Sequence, residues 1–119
     1  MRVGTDIISI ARLEKSINKF GDKFKAKFLT KQEIEDTKKI DSLAGLWASK
    51  EAISKALGCG ICKDLTFQDI IIFKDSKGAP HFKLSSRSQK IFKIKDSSLS
   101  ISHDGGFAIA VVLILIEDF

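Results

Sequence analysis

The sequence predicts an α+β fold, a single domain in which helices pack on a mostly antiparallel sheet. Apolar residues recur at helical spacing through the first half of the chain, whereas short apolar or alternating runs separated by turn residues follow residue 64. Helices and strands segregated in this way are typical of α+β proteins. The 119 residues contain no internal repeat, linker or low-complexity tract, so we expect one domain over residues 1–119.

The first two elements follow each other directly. A strand over residues 3–10 is expected to run into a helix over residues 9–20. That helix is indicated by four apolar residues at helical spacing, Ile10, Leu13, Ile17 and Phe20. Gly21 is placed to end it, and a short second helix is expected over residues 22–29.

Two capping signals place the other helices of the first half. Thr30, followed three residues later by Glu33, has the spacing of a capping box, so a helix should begin immediately after Thr30. Ser42 is a favourable N-cap residue and predicts a long helix over residues 43–57, with Gly58 just beyond its end.

The second half of the chain reads mainly as strands joined by turns. Apolar runs mark the strands, and clusters of Gly, Asp, Ser and Lys mark the turns. The expected elements are a strand over 65–73, a turn over 74–78, a strand over 80–84, a helix over 85–93, a strand over 98–102, a turn at 104–106 and a last strand over 107–117.

The last strand is apolar on both faces. Its alternate residues form one face of Phe107, Ile109, Val111, Leu113 and Leu115 and a second of Ala108, Ala110, Val112, Ile114 and Ile116. An antiparallel strand with one solvated face would alternate between apolar and polar residues. We therefore expect this strand to be covered on both sides, by the chain's own helices or by another subunit.

Composition and charge fit a globular protein with anionic partners. Hydrophobic residues make up 44% and charged residues 29% of the chain, and the net charge is +5. Arg2 and Asp6 interrupt any N-terminal signal peptide, and the longest apolar run, residues 107–116, is too short to span a bilayer as a helix. These features predict a cytoplasmic protein without a membrane partner.

A basic nucleic-acid-binding module is the main alternative from another functional class. The charge fits, but the chain has one Trp, no Tyr and no strand in which basic and aromatic residues alternate. That alternative also leaves Asp6 and Glu51 without a role. We therefore predict no nucleic-acid partner.

Cys59 and Cys62 form a C-x-x-C pair, which is often a zinc or redox motif. A structural zinc site needs two more ligands, and His81 and His103 are not spaced as a pair. A thioredoxin-type pair lies at the start of a helix, whereas this one follows a helix. We interpret the two cysteines as incidental thiols.

The residues with the clearest chemical meaning are two carboxylates from distant segments. Asp6 lies near the N-terminus, and Glu51 lies in the long helix with Lys55 one helical turn further on. Magnesium in proteins is usually held by one or two carboxylates, with phosphate oxygens and waters completing its shell. A lysine then neutralises phosphate charge that the metal does not reach. The alternative is an exposed i,i+4 ion pair between Glu51 and Lys55.

Lys50 is a further candidate because it projects from the large apolar face of the same helix, next to Ser54. A lysine in that position must extend to solvent or find an anion.

These segments resemble the signature of the 4′-phosphopantetheinyl transferases. The match consists of Gly4-Thr5-Asp6 and Trp47-x-x-Lys50-Glu51-Ala52-x-x-Lys55-Ala56-x-Gly58, followed by Phe67-Gln68-Asp69-Ile70, Gly78-Ala79-Pro80 and Ile101-Ser102-His103 with Ala108. It covers nearly the whole chain in order and with compatible spacing. The combined motif is specific, whereas each piece alone would be weak.

The resemblance implies the fold of that family and an enzymatic reaction. The enzyme would transfer the 4′-phosphopantetheine arm of coenzyme A to a serine of apo acyl carrier protein, for fatty acid biosynthesis. The products would be holo acyl carrier protein and adenosine 3′,5′-bisphosphate. The resemblance also implies Mg²⁺ as cofactor and a homotrimer with active sites at the subunit interfaces.

The resemblance assigns roles to individual residues. It implies that Asp6 and Glu51 ligate magnesium and that Glu51 and Lys55 are catalytic. Coenzyme A would contact Lys50, Lys55, Gly58, Gly78, Pro80 and His103, and Gly60 would let the backbone pass close to the ligand. Four candidates for the base that takes the serine proton stay open: a metal-bound water, Glu51, Glu35 and His103.

A basic stretch between Arg12 and Lys31 is expected to dock the carrier protein, because acyl carrier proteins are strongly acidic. Its docking residues are Arg12, Lys15, Lys19 and Lys23, with Arg12 at the docking position of the family. Ser16 stands where relatives often have an apolar residue, so Ile17 or Phe20 is expected to supply the apolar contact. A catalytically inactive relative is the third alternative, and the intact Asp6, Glu51 and Lys55 argue against it.

Overall fold

The structure, a computed structural model, describes residues 1–117. It contains five helices, one short 3₁₀ helix and five strands in two antiparallel sheets. The elements in chain order are β1 (Arg2–Ser9), α1 (Ile10–Phe20), α2 (Asp22–Phe28), α3 (Lys31–Asp36), α4 (Ile40–Ala56), the 3₁₀ helix (Phe67–Asp69), β2 (Ile70–Lys74), β3 (Pro80–Leu84), α5 (Ser86–Phe92), β4 (Ile94–Asp104) and β5 (Phe107–Ile116). The predicted α+β class with mostly antiparallel strands is confirmed.

The larger sheet has the strand order β1–β5–β4, which makes β1 an edge strand. Strands β4 and β5 form a hairpin in which Asp104 pairs with Phe107. The two residues between them, Gly105 and Gly106, have φ angles of 57° and 87°, the positive values that a two-residue turn of this kind requires. Strands β2 and β3 form a separate two-stranded sheet.

Local capping explains where two of the helices begin. The Thr30 hydroxyl accepts a hydrogen bond from the Glu33 N–H, and the Glu33 carboxylate accepts one from the Thr30 N–H, so the predicted capping box is present. Ser9 caps α1 by accepting from the Arg12 N–H.

Three of the predicted boundaries are wrong, and one of them is that of β4, which spans Ile94–Asp104 rather than 98–102. Helix α4 begins at Ile40 rather than at residue 43, and Ser42 is not its N-cap. The helix extends one turn further back because Ile40 packs against the apolar cluster beneath it. The strand predicted over 65–73 begins only at residue 70, since Asp69 accepts hydrogen bonds from the Thr66 N–H and hydroxyl and so closes a 3₁₀ turn.

Helix α4 lies on the inner face of the larger sheet through a row of small residues. Its sheet-facing residues are buried alanines: Ala44, Ala48, Ala52 and Ala56. The helix approaches β1 so closely at Gly4 that a Cβ atom there would lie 1.9 Å from the Ala52 carbonyl oxygen. This close approach brings the side chains at the edge of α4 to the edge strand β1.

The two faces of β5 differ in burial. Ala108, Ala110, Val112 and Ile114 lie beneath the helices and are at most 1% exposed. On the opposite face Phe107, Ile109, Val111 and Leu113 are 39–48% exposed, and Val3 and Ile7 of β1 extend the same apolar surface. The expected cover on both sides is therefore provided by the chain itself on one face only. We call the exposed set of six residues the outer apolar face.

Within residues 1–117, no helix is long and apolar enough to cross a membrane. Cys59 and Cys62 are free thiols in the loop that follows α4.

Candidate active site

The structure brings Asp6, Glu51 and Lys55 together where α4 crosses the edge of the sheet. Asp6 lies on β1 opposite Ala110, on the same side of the strand as Gly4. The Lys55 ammonium donates to Asp6 Oδ1 at 2.8 Å and to the Thr5 carbonyl oxygen at 3.1 Å. The Asp6 side chain is 14% exposed and that of Lys55 is 53% exposed, so the pair lies at the boundary between protein and solvent.

Glu51 is the third member of this cluster and lies on α4 one helical turn before Lys55. Burial raises the pKa of Glu51, the negative charge of Asp6 raises it further, and the positive charge of Lys55 lowers it in part. A nearby cation would stabilise the ionised form of such a carboxylate. The alternative of an exposed Glu51–Lys55 pair does not describe this geometry, because Lys55 pairs with Asp6 on a different element.

The donor set fits a magnesium ion that shares its coordination with a ligand. Within residues 1–117, no group of three or more His, Cys, Asp or Glu side chains is arranged to hold a metal. Zinc sites generally use at least three protein ligands, whereas magnesium is commonly bound through one or two carboxylates plus phosphate oxygens and water. The residue types of Asp6 and Glu51 fit the latter kind of site.

A cleft of about 520 Å³ opens beside this cluster. Its lining consists of Thr5, Asp6, Ile7, Lys55 and Ile109. The cleft is shallow and broadly open to solvent, and Glu51 is not among its lining residues. Ile7 and Ile109 also belong to the outer apolar face, so the cleft and that face are continuous.

The predicted contact of Lys50 with coenzyme A is inconsistent with its position. The Lys50 side chain is fully buried, and its ammonium donates to Glu33 Oε1 at 2.7 Å and to the Phe67 carbonyl oxygen at 3.0 Å. The anion that pairs with Lys50 is therefore the carboxylate of Glu33 inside the protein, and not a group of a ligand. Glu33 was predicted only as a helix cap, and no local pattern in the sequence indicates its second partner.

Of the other residues predicted to contact coenzyme A, Lys55 lines this cleft, and the remaining four do not. Gly58 follows the end of α4, Gly78 occupies the β2–β3 turn with φ 85°, and Pro80 begins β3. His103 lies near the end of β4, with Nδ1 3.7 Å from Asp41 Oδ2 at the start of α4. Gly78, Pro80 and His103 do not line the cleft.

The basic residues predicted to dock the carrier protein are all exposed on α1 and α2: Arg12, Lys15, Lys19 and Lys23. Of the two apolar candidates, Ile17 packs against the core, whereas Phe20 is 57% exposed. The Lys19 ammonium lies 5.3 Å from the centre of the Phe20 ring. Phe20 is therefore the residue that presents an apolar surface among these basic side chains.

The chain is similar to known proteins over nearly its whole length. Residues 2–112 match the 4′-phosphopantetheinyl transferase superfamily. The sequence is 58% identical over 117 residues to the holo-[acyl-carrier-protein] synthase of Sulfurovum sp. (strain NBC37-1), covering 98% of each chain. It is 55% identical over 115 residues to the protein of that name from Campylobacter jejuni (serotype O:23/36, strain 81-176), covering 97% of this chain and 100% of the other.

Solved structures give the same result. The crystal structure of Helicobacter pylori holo-[acyl-carrier-protein] synthase in complex with coenzyme A superposes with a TM-score of 0.91 at 50% identity, covering 95% of this chain and 99% of that one. The synthase from Bacillus anthracis, in complex with CoA (3′,5′-ADP), superposes with a TM-score of 0.81 at 35% identity, covering 98% and 96% of the two chains.

Proposed function

The chain belongs to the 4′-phosphopantetheinyl transferase superfamily, and we propose that the Asp6–Glu51–Lys55 cluster is its catalytic centre. The chain is a transferase that moves the 4′-phosphopantetheine group of coenzyme A to a serine of apo acyl carrier protein, the activity named in its relatives. The observation that carries the proposed centre is the convergence of two carboxylates and one lysine from β1 and α4 beside a cleft.

Asp6 and Glu51 are the residues that would hold a magnesium ion. Bound there, the metal would offset negative charge on the diphosphate of coenzyme A, both at the phosphorus under attack and on the departing bisphosphate. The placement of the two carboxylates supports this proposal. Asp6 pairs with Lys55, and the charge of the same lysine acts on Glu51, so two carboxylates share one lysine.

Lys55 would bind the phosphates of the substrate. Its ammonium is half exposed at the cleft and held at the tip of the cluster by Asp6 and the Thr5 carbonyl. If Asp6 held a metal, its charge would be shared with that ion, and the Lys55 ammonium would be available to a phosphate oxygen. A lysine in this role acts as a point charge on a flexible stem.

The acceptor of the serine proton is proposed to lie within the Asp6–Glu51–Lys55 cluster. Glu35 is exposed on α3, and His103 lies near the end of β4 beside Asp41, so in one chain neither belongs to the cluster. Glu51 and a metal-bound water are the candidates at the cluster.

We propose that the protein forms a homotrimer with active sites at the subunit interfaces. The outer apolar face is a contiguous set of six exposed large side chains, and such patches commonly mark protein–protein contacts. Ile7 and Ile109 belong to both this face and the cleft, so a neighbouring copy covering the face would also border the site. Gly78, Pro80 and His103 of that copy would then be available to contact coenzyme A.

The basic surface of α1 and α2 is proposed to dock acyl carrier protein. Arg12, Lys15, Lys19 and Lys23 provide positive charge, and Phe20 provides an apolar contact among them. Charge complementarity of this kind mainly increases the rate of association. The cytoplasmic location and the lack of a nucleic-acid partner stay predictions from the sequence.

Intact-mass spectrometry tests the reaction. Purified apo acyl carrier protein would be incubated with this protein, coenzyme A and Mg²⁺, with an EDTA control and a known transferase in parallel. We expect a mass gain equal to phosphopantetheine that EDTA abolishes. A gain that persists in EDTA would contradict the metal proposal, and no gain beside a working control would contradict the proposed centre.

A further inference from the structure

A buried ion pair joins three elements behind the candidate active site. Lys50 of α4 and Glu33 of α3 have side chains that are 0% and 4% exposed, and they meet at 2.7 Å. Lys50 also donates to the Phe67 carbonyl oxygen at 3.0 Å, and Glu33 Oε2 accepts from the Ile72 N–H of β2 at 2.8 Å. One charged contact thus connects α3, α4 and the segment that leads into the β2–β3 hairpin.

Stability alone does not explain this pair. Removing two charges from water carries a large desolvation penalty, and replacing a buried ion pair by apolar residues of similar volume is often neutral or stabilising. The pair does, however, define one arrangement of its elements, because each oxygen and the ammonium have specific partners.

The packing of α4 on the sheet explains why the Lys50–Glu33 ion pair matters for the orientation of the helix. Alanines of α4 face β1 and β5, with Gly4 beneath Ala52. Larger side chains of α4 and its C-terminal end are also buried in the core: Leu43, Ile53 and Leu57. A surface of small side chains has shallow ridges, and on that side it constrains the rotation of a helix about its axis less than large interlocking side chains do. The orientation of α4, and with it the direction of Glu51, then depends on its large buried side chains and on the ionic contacts at its flanks.

Two lysine ion pairs hold α4 at these flanks. Lys55 pairs with Asp6 on β1, and Lys50 pairs with Glu33 on α3. Five residues separate Lys50 from Lys55, which places their side chains about 140° apart around the helix. The contact of Lys55 involves the carboxylate that we propose as a metal ligand, so a metal bound to Asp6 would weaken it. The contact of Lys50 is made with Glu33, which is not a proposed ligand, and would persist.

We propose that Lys50, through its ion pair with Glu33, is a positioning residue that holds Glu51 toward Asp6 when the metal binds. This inference rests on the proposed metal site. Lys50 acts through the neighbouring peptide and the helix, and it touches neither substrate nor metal. Residues that orient metal ligands in this way commonly affect metal affinity about 10–100-fold when changed.

The test measures metal binding directly, without turnover. Mn²⁺ binding in the presence of coenzyme A and the absence of carrier protein would be followed by electron paramagnetic resonance. The variants are Lys50→Met, Glu33→Gln and the double variant, with Ile114→Ala as a control for general destabilisation. Ile114 is a fully buried residue of β5, in register with Arg2 at the far end of β1 from Asp6. Urea unfolding would establish the stability of each variant.

We expect Lys50→Met and Glu33→Gln each to weaken Mn²⁺ binding by about tenfold, and Ile114→Ala to leave it unchanged. The double variant should bind no more weakly than the weaker single variant, because both changes remove the same contact. Wild-type affinity in Lys50→Met or in the double variant would overturn the proposal. So would a loss in Ile114→Ala equal to that in Lys50→Met.

Glu51→Gln separates this inference from the metal site on which it rests. If wild type binds Mn²⁺ far more tightly than Glu51→Gln while the Lys50 variants match wild type, only the positioning role fails. If Glu51→Gln binds as tightly as wild type, the metal site fails and the positioning role fails with it.

Discussion

The contact between Gly4 and α4 provides a test of how the fold assembles the site. A Cβ atom at position 4 would lie 1.9 Å from the Ala52 carbonyl oxygen and 2.9 Å from the Ala56 Cβ. Cβ atoms essentially never come within 3.0 Å of such atoms, so β1 and the backbone of α4 must separate by about 1.1 Å in Gly4→Ala. No flexible side chain is available to absorb this change, because the nearest atom belongs to the helix backbone.

This separation should affect both stability and activity. Overpacking of this kind typically lowers stability by about 1–3 kcal/mol, and a displacement of about 1 Å at a catalytic constellation lowers the rate by about a hundredfold. The sign of the stability change in Gly4→Ala is informative, since alanine is intrinsically favoured over glycine in a strand interior. Any loss therefore reports the contact between β1 and α4 rather than strand propensity.

Urea unfolding and a steady-state assay of carrier-protein modification would measure the two effects of Gly4→Ala. Gly45→Ala is the matched control, because it lies in α4 itself and its added Cβ would meet the Ile101 Cγ2 methyl at 3.0 Å, a contact that requires an adjustment of only a few tenths of an ångström. We expect Gly45→Ala to be close to wild type in both measurements. Gly4→Ala with wild-type stability and turnover would refute the reasoning that this contact positions Asp6 against Glu51 and Lys55.

Three further predictions concern the charged and apolar surfaces. Arg12→Glu should raise KM for carrier protein more than KM for coenzyme A, and it should reduce the salt dependence of KM for carrier protein. Lys95→Glu on β4 is the control and should change neither KM value. Equal effects of Arg12→Glu on both KM values would exclude a docking role. Val111→Lys, in the outer apolar face, should convert the proposed trimer into monomers, as measured by sedimentation analysis. An unchanged molecular mass would show that this face is not part of the subunit interface. Burial alone would raise the pKa of Asp69, but hydrogen bonds from Arg87, Ser85 and Thr66 outweigh this effect and hold the pKa well below its usual range. The ionised Asp69 therefore stabilises the fold above about pH 4. This contribution is lost as the pH falls through the pKa of Asp69 in the folded state. Asp69→Asn should lower the unfolding free energy by about 2 kcal/mol at pH 7 and progressively less in acid, and a difference independent of pH would contradict this account.

Local sequence patterns were sufficient for most elements, and they also singled out the residues of the candidate site. The capping box at Thr30 and the Asp104-Gly105-Gly106 turn depend on neighbouring residues only, and both are present. Asp6 and Glu51 were identified because two carboxylates in a recognisable motif have a definite chemical use. Their convergence required the close packing of α4 on Gly4, which is a tertiary contact.

The differences arise where tertiary contacts override local signals. Ser42 has the residue type of an N-cap, but burial of Ile40 extends the helix past it. Lys50 was predicted to contact the ligand. Its actual partner, Glu33, lies 17 positions away in the sequence, and no local periodicity indicates that pairing. The apolar character of β5 was recognised, whereas the uncovered state of one face within a single chain is visible only from the structure.

The most direct test of the catalytic centre is the rate of carrier-protein modification by Glu51→Gln, measured by intact mass at saturating coenzyme A and Mg²⁺. Glu35→Gln, at an exposed carboxylate of α3 outside the cleft, is the matched control. We predict that Glu51→Gln keeps the fold and loses at least about a hundredfold in rate, because a neutral amide is a poorer magnesium ligand, while Glu35→Gln stays near wild type. A folded Glu51→Gln protein that modifies carrier protein at a near-normal rate would contradict the assignment of Asp6, Glu51 and Lys55 as the catalytic centre.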